Sequence, residues 1–170
     1  MIIKANKPIF ICFDFSKQAY IAIKQSIELA KALHATIEII QVAKSDAELR
    51  IKDLEELAQT STDSHQIECK YKTYTGEMFS VLTKILEDAK PALLVFPVHE
   101  ETPFKSGLFS GTPTLPKFLS QLDVPVMTVR GTHSNPDIKS VIFPFDLSYD
   151  SSEKVGASIQ SVSYTHLRAH

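Results

Sequence analysis

Five strand-length runs separated by four stretches of helical periodicity predict an α/β domain built as a doubly wound parallel sheet. Three observations carry this expectation. Residues 9–13 and 93–98 are apolar at both parities, as strands covered on both faces must be. Residues 67–73 alternate apolar and polar, so that strand has a wet face or edge. Right-handed crossovers between successive parallel strands then leave few arrangements. With the two most apolar strands adjacent at the centre and the alternating one at an edge, the sheet order is 3-2-1-4-5, with helices on both faces.

Each element has its own local reason. Residues 9–13 form the first strand, and Asp14-Phe15-Ser16 is the turn that follows. Ser16 caps a helix whose buried stripe is Tyr20, Ile23, Ile27 and Ala30. Residues 36–42 form the second strand. Ser45-Asp46-Ala47-Glu48 then reads as a capping box, opening a helix with Ala47, Ile51, Leu54 and Ala58 on one face. In the third strand, 67–73, Lys70 and Lys72 discourage pairing with another edge. Gly76 leads into an amphipathic helix carrying Met78, Val81, Leu82, Ile85 and Ala89. After the fourth strand a long loop runs from His99 to Gly111. Thr112 as N-cap and Pro113 in the first turn then start a short helix with Leu115, Phe118, Leu119 and Leu122. Residues 124–129 close the unit as a strand, and Pro125 assigns it to a sheet edge.

Composition narrows the function. A chain of 170 residues with 44% hydrophobic residues can bury a substantial core. A net charge of -2 without basic clusters argues against a nucleic-acid surface. No run approaches the length of a membrane span, and the four residues before Ala5 are too short for a signal peptide, so a cytoplasmic protein with no membrane partner is expected. Cys12 and Cys69 lie in strand-like runs without metal or redox spacing, and read as buried hydrophobes.

The chain also repeats itself. Residues 139–148 match 7–16 position by position, with Asp146 in the place of Asp14. The expected organisation is one α/β domain at 1–133, a linker and the incomplete start of a second copy at 134–160, and a non-native tail at 161–170. His166 and His170 carry no functional weight on that reading.

A sheet of order 3-2-1-4-5 reverses direction between strands 1 and 4, and ligands bind beyond the carboxyl ends of strands at such a reversal. Asp14 and the loop after Val98 should therefore face one crevice. Five features of this arrangement resemble the universal stress protein family, whose fold is Rossmann-like. They are Asp14 ending strand 1, Val42 ending strand 2, Gly76 before the third helix, Gly111-Thr112 after the long loop, and Val124-Pro125-Val126 with Val129 at the close.

The resemblance implies a cytoplasmic stress-response protein, the first half of a tandem pair. ATP or AMP is the candidate cofactor, and no metal is expected beyond magnesium carried by the nucleotide. It implies that Asp14 and the Val42 backbone hold adenosine, and that Gly111 and Thr112 take phosphate. It also implies a partner along Val124, Val126 and Val129, either a second copy in a homodimer or the missing second domain.

Two positions depart from the family's glycine-rich phosphate segment: Pro97 offers no amide hydrogen, and Glu100 brings a negative charge. One unit charge at about 6 Å and an effective dielectric near 20 costs about 3 kcal/mol. The departures favour a dimerising interaction module with a degraded adenine-nucleotide crevice. The alternative is an ATP- or AMP-binding regulatory protein with at most weak hydrolysis. His99-Glu100-Glu101 lacks metal-ligand spacing, and Phe104, Leu108 and Phe109 read as loop anchors. No catalytic constellation is evident. An adenylyl-transfer enzyme would need a pyrophosphate loop that Asp14-Phe15-Ser16 does not provide, and a receiver domain would need clustered carboxylates where Asp14 stands alone.

Overall fold

The structure, a computed structural model, describes residues 7–99 and 115–131. The elements follow in the order β1 (Ile9–Cys12), α1 (Lys17–Leu33), β2 (Ile37–Ala43), α2 (Ile51–His65), β3 (Cys69–Thr75), α3 (Met78–Ala89), β4 (Leu93–Pro97), α4 (Leu115–Ser120) and β5 (Val126–Val129). All four strand pairings are parallel, and the sheet order is β3-β2-β1-β4-β5, as the sequence pattern predicts.

Alternation along the central strands builds two cores. On one face, Ile9, Ile11, Ile37 and Ile39 meet Ile23, Ile27 and Leu33 of α1 and Leu54 of α2. On the other, Phe10, Ile40, Leu94 and Phe96 meet Leu82 and Leu86 of α3 and Phe118 of α4. The edge strand β3 is dressed by ion pairs from Lys72 to Glu38 at 3.0 Å and from Lys70 to Glu68 at 2.7 Å. The Lys70–Glu68 pair is exposed and adds little stability, whereas Lys72 reaches in from solvent to a buried Glu38; both lysines keep the edge hydrophilic.

Local signals explain where helices start. Ser16 Oγ accepts from the Ala19 N–H at 3.1 Å, which caps α1 and is worth about 1 kcal/mol. Glu77 does the same for α3, accepting from the Ser80 N–H at 2.8 Å. Between β3 and α3 the chain turns at Gly76 with φ of 140°, and a Cβ there would lie 3.0 Å from a Val81 methyl. Both the conformation and the space demand glycine.

The structure corrects several local expectations. Ser45 makes no side-chain cap, and Asp46–Glu48 form only a short 3₁₀ turn before α2 begins at Ile51. Glu48 folds back onto the Lys44 N–H at 3.2 Å instead. Ala47 and Ile51 are therefore exposed, and Leu54 and Ala58 carry the buried side of α2. Tyr20 is 43% exposed, lying edge-on to Phe13 rather than joining the α1 stripe. β2, β3 and β5 each start later than the sequence runs predict, β3 by two residues. The linker, the second copy at 134–160 and the tail at 161–170 lie outside the described residues.

Candidate functional site

β1 is short. It ends at Cys12 while its neighbours run on, β2 to Ala43 and β4 to Pro97, which leaves a slot above β1 at the point where the sheet order reverses. Proline helps to open it. The Val98 N–H donates to the Val129 carbonyl at 2.8 Å, so alternation directs the nitrogen of residue 97 towards β1. Pro97 has no hydrogen to give there. The β1–β4 register accordingly stops at Ile11 and Val95, while β4 stays paired with β5 as far as Pro97 and Val129.

The opposite wall is β2. The Phe13 N–H donates to the Ile40 carbonyl at 2.8 Å, and the Gly76 N–H to the Ala43 carbonyl at 2.9 Å. Alternation between those two bonds turns the Val42 N–H and C=O towards the β1 side, past the last β1 pairing at Cys12 and Ile40. Among the described residues no backbone group bonds them. They are a donor and an acceptor presented to the slot.

The slot holds a cavity of about 210 Å³. Its walls are apolar: Ile40 and Val42 from β2, Met78, Phe79 and Leu82 from α3, Phe96 and Val98 from β4 and its exit, and Leu115 from α4. Phe79 stacks on Phe118 with ring centroids 4.4 Å apart, fixing α4 against α3. Cys12 also reaches the cavity. Burial, and secondarily the Asp14 charge, push its thiol far up, so it stays neutral and acts as a small apolar group.

Polar chemistry enters at the mouth. Asp14 Oδ1 accepts from the Ser16 N–H at 3.0 Å, and Asp14 Oδ2 lies 2.7 Å from His99 Nε2. Phe15 makes this turn possible by adopting a left-handed conformation, φ 62°. Its ring is held edge-on to Phe13 at 4.9 Å and beneath the Arg50 guanidinium at 3.8 Å, contacts that offset the strain. Burial raises the Asp14 carboxyl, but hydrogen bonds from Ser16 and the paired His99 more than compensate, holding it below the usual carboxylate range.

A carboxyl depressed in this way binds its proton later in the folded chain than in the unfolded one. Its contribution to stability is complete above its unfolded value near 3.8 and is lost as pH falls through the lower folded value. Asp14→Asn should therefore flatten the decline of melting temperature below about pH 4. Equal acid slopes in the two proteins would contradict this assignment.

The structure thus brings two sequence-predicted residues, Asp14 and Val42, to one cavity, and places Pro97 in its wall. Gly111, Thr112 and Glu100 lie outside the described residues, as do Phe104, Leu108 and Phe109. The next described residue after Thr112, Leu115, lines the cavity. Val124 and Val129 are buried and Val126 is half-buried at the β5 edge. His99, Met78 and Phe79 are site residues that sequence reasoning missed. The one available signal was the position of His99 directly after a central strand. Among the described residues no cluster of three metal-ligating side chains occurs, and no helix is long and apolar enough to cross a membrane.

The class defined by this geometry is a three-layer α/β domain with an apolar slot and a carboxylate at the reversal point of its sheet. Residues 5–130 match the model of the universal stress protein family, and the chain belongs to that family. A search of curated proteins returns no match. Among solved structures, a universal stress protein in complex with cAMP aligns with a TM-score of 0.56 at 15% identity, covering 75% of this chain and 98% of that one. One from Archaeoglobus fulgidus DSM 4304 aligns at 0.59 and 17%, covering 73% of this chain but 44% of that one, so this chain spans less than half of that relative. Another from Archaeoglobus fulgidus, in complex with dAMP, aligns at 0.52 and 11%, covering 73% and 98%. At these identities the likeness is one of fold.

Proposed function

We propose that this domain is a regulatory stress protein that binds an adenine nucleoside or its monophosphate and disfavours the triphosphate. The observation that carries the reading is the convergence of the Asp14 carboxylate and the Val42 backbone donor and acceptor on one apolar cavity. A purine offers a matching edge and two apolar faces, and a ribose offers hydroxyls to a carboxylate. Size points the same way. About 210 Å³ is below the roughly 300–1,000 Å³ of sites that enclose whole drug-sized ligands, so the base fits inside with the phosphate at the mouth. The cAMP and dAMP held by the two relatives named above are both single-phosphate ligands. Pro97 and Glu100 withhold the amide and the neutrality that a polyphosphate needs.

Calorimetric titration of the full chain with adenosine, AMP and ATP tests this. Adenosine and AMP should bind, and ATP should bind more weakly. The double substitution Pro97→Gly and Glu100→Gly should tighten ATP by about tenfold or more, since removing the charge alone is worth up to about 3 kcal/mol. No heat with adenosine or AMP would remove the nucleotide reading.

A second reading is an interaction module with a degraded crevice, pairing through β5 as a homodimer or with a second domain. The specific observation in its favour is that His99 already occupies one oxygen of Asp14. β5 is at the sheet edge, with Val126 and Met127 half-buried. Under that reading, sedimentation finds a dimer that Val126→Lys dissociates, with no nucleotide bound.

A further inference from the structure

Asp14 and His99 come from separate strands, the first from the turn after β1 and the second from the exit of β4, 85 residues apart in sequence. Their contact spans the mouth of the cavity, whose lining includes both. The ionised carboxylate can only accept, so His99 donates through Nε2–H, and its Nδ1 is left to gain or lose a second proton. A ribose hydroxyl reaching Asp14 would donate to the same two oxygens, one already held by Ser16 and the other by His99.

Charge on the imidazole changes that competition. Charge-assisted hydrogen bonds are roughly twice as strong as neutral ones. We infer that His99 is a proton-operated latch on the nucleoside site: protonated, it grips Asp14 against the ribose, and neutral, it yields. The latch rests on the nucleoside reading proposed above, and it names how that site is regulated.

Other ionisable groups at this end of the sheet, among the described residues, hold one charge state across the neutral range. Asp14, held below the usual carboxylate range, stays ionised from mildly acid pH upward. Cys12, on β1, stays neutral. Glu77, which caps α3, is kept ionised by its hydrogen bonds to the Ser80 and Phe79 backbone and to the Ser80 side chain, although its slight burial opposes this. Arg130, which follows β5 beside the β4 exit, is permanently charged. His34 and His65 sit at the C-terminal ends of α1 and α2, at the opposite pole of the sheet. Histidine is the side chain that changes charge between about pH 5 and 8.

Adenosine is the probe because it carries no phosphate to interact with the imidazolium. Its affinity for the full chain, measured by calorimetry, should be about fivefold weaker at about pH 5.5 than at about pH 8. His99→Gln keeps a side-chain donor for Asp14 but cannot titrate, and its affinity should be the same at both values. A readout without ligand is the Asp14 carboxyl carbon followed by NMR, whose titration midpoint should rise in His99→Ala towards an ordinary carboxylate. Equal adenosine affinity at both pH values in the unsubstituted protein overturns the latch and leaves the nucleoside reading standing. An unmoved Asp14 midpoint also overturns the latch. Absence of adenosine binding at both pH values, with the midpoint shift present, sinks the nucleoside reading and the gating with it.

Discussion

Asp14→Ala is expected to weaken adenosine binding by about ten- to a hundredfold, because hydrogen bonds to a charged group are worth about 1.5–3 kcal/mol and each 1.4 kcal/mol is tenfold. The loss should be specific to binding. The Asp14 side chain is 39% exposed and belongs to neither core, so at neutral pH the melting temperature should fall only by the electrostatic contribution of the depressed carboxyl, with no loss of core packing. Asp14→Asn keeps an acceptor for the Ser16 N–H and removes the charge, and should fall between the two. Titration of the three proteins with adenosine, alongside thermal melts at pH 7, measures both quantities. Unchanged affinity in Asp14→Ala would remove the carboxylate from the site.

The second large effect is on stability. Phe118→Ala should cost about 3–5 kcal/mol, the usual range for emptying a buried phenylalanine position. Phe118 is 3% exposed and stacks on Phe79 at 4.4 Å. α4 has six residues, too few to hold a helix without packing. Losing its anchor should release α4 from α3 and take Leu115 out of the cavity wall, so nucleoside binding should weaken along with stability. Urea denaturation would show a lower midpoint, a large fraction of the roughly 5–15 kcal/mol that holds a domain together. A cost below about 1 kcal/mol would mean that α4 is held some other way. Phe118→Leu, which keeps an apolar filling without the stacked ring, should recover part of the loss.

Much of this architecture was legible in the chain. The two-sided apolarity of residues 9–13 and 93–98 placed β1 and β4 at the centre, because only strands covered by helices on both faces can be apolar throughout. The alternation through Lys70 and Lys72 placed β3 at an edge for the converse reason. Helix starts were legible where a single side chain decides them, as at Ser16. They were not at Ser45, where a Ser-x-x-Glu pattern also fits a 3₁₀ turn. There Gln41, a β2 side chain, accepts from the Arg50 N–H at 3.0 Å and donates to the Glu48 carbonyl at 3.1 Å, setting the start of α2. That bridge spans only seven and nine residues, but it depends on which way the Gln41 side chain leaves β2, which neither periodicity nor a capping pattern encodes.

The site divides along the same line. Sequence by itself determined the sheet order, the reversal between β1 and β4, and therefore that Asp14 and Val42 end neighbouring strands, because periodicity and chain connectivity act through near neighbours and a small set of allowed crossovers. The partner of Asp14 was decided only by the folded structure. His99 reads in sequence as one of several polar residues in a loop, and becomes significant because two parallel strands deliver their carboxyl ends to the same edge. A hydrogen bond of 2.7 Å between residues 85 positions apart depends on the relative placement of β1 and β4 to within a fraction of an ångström, and that placement is set jointly by the packing of both cores.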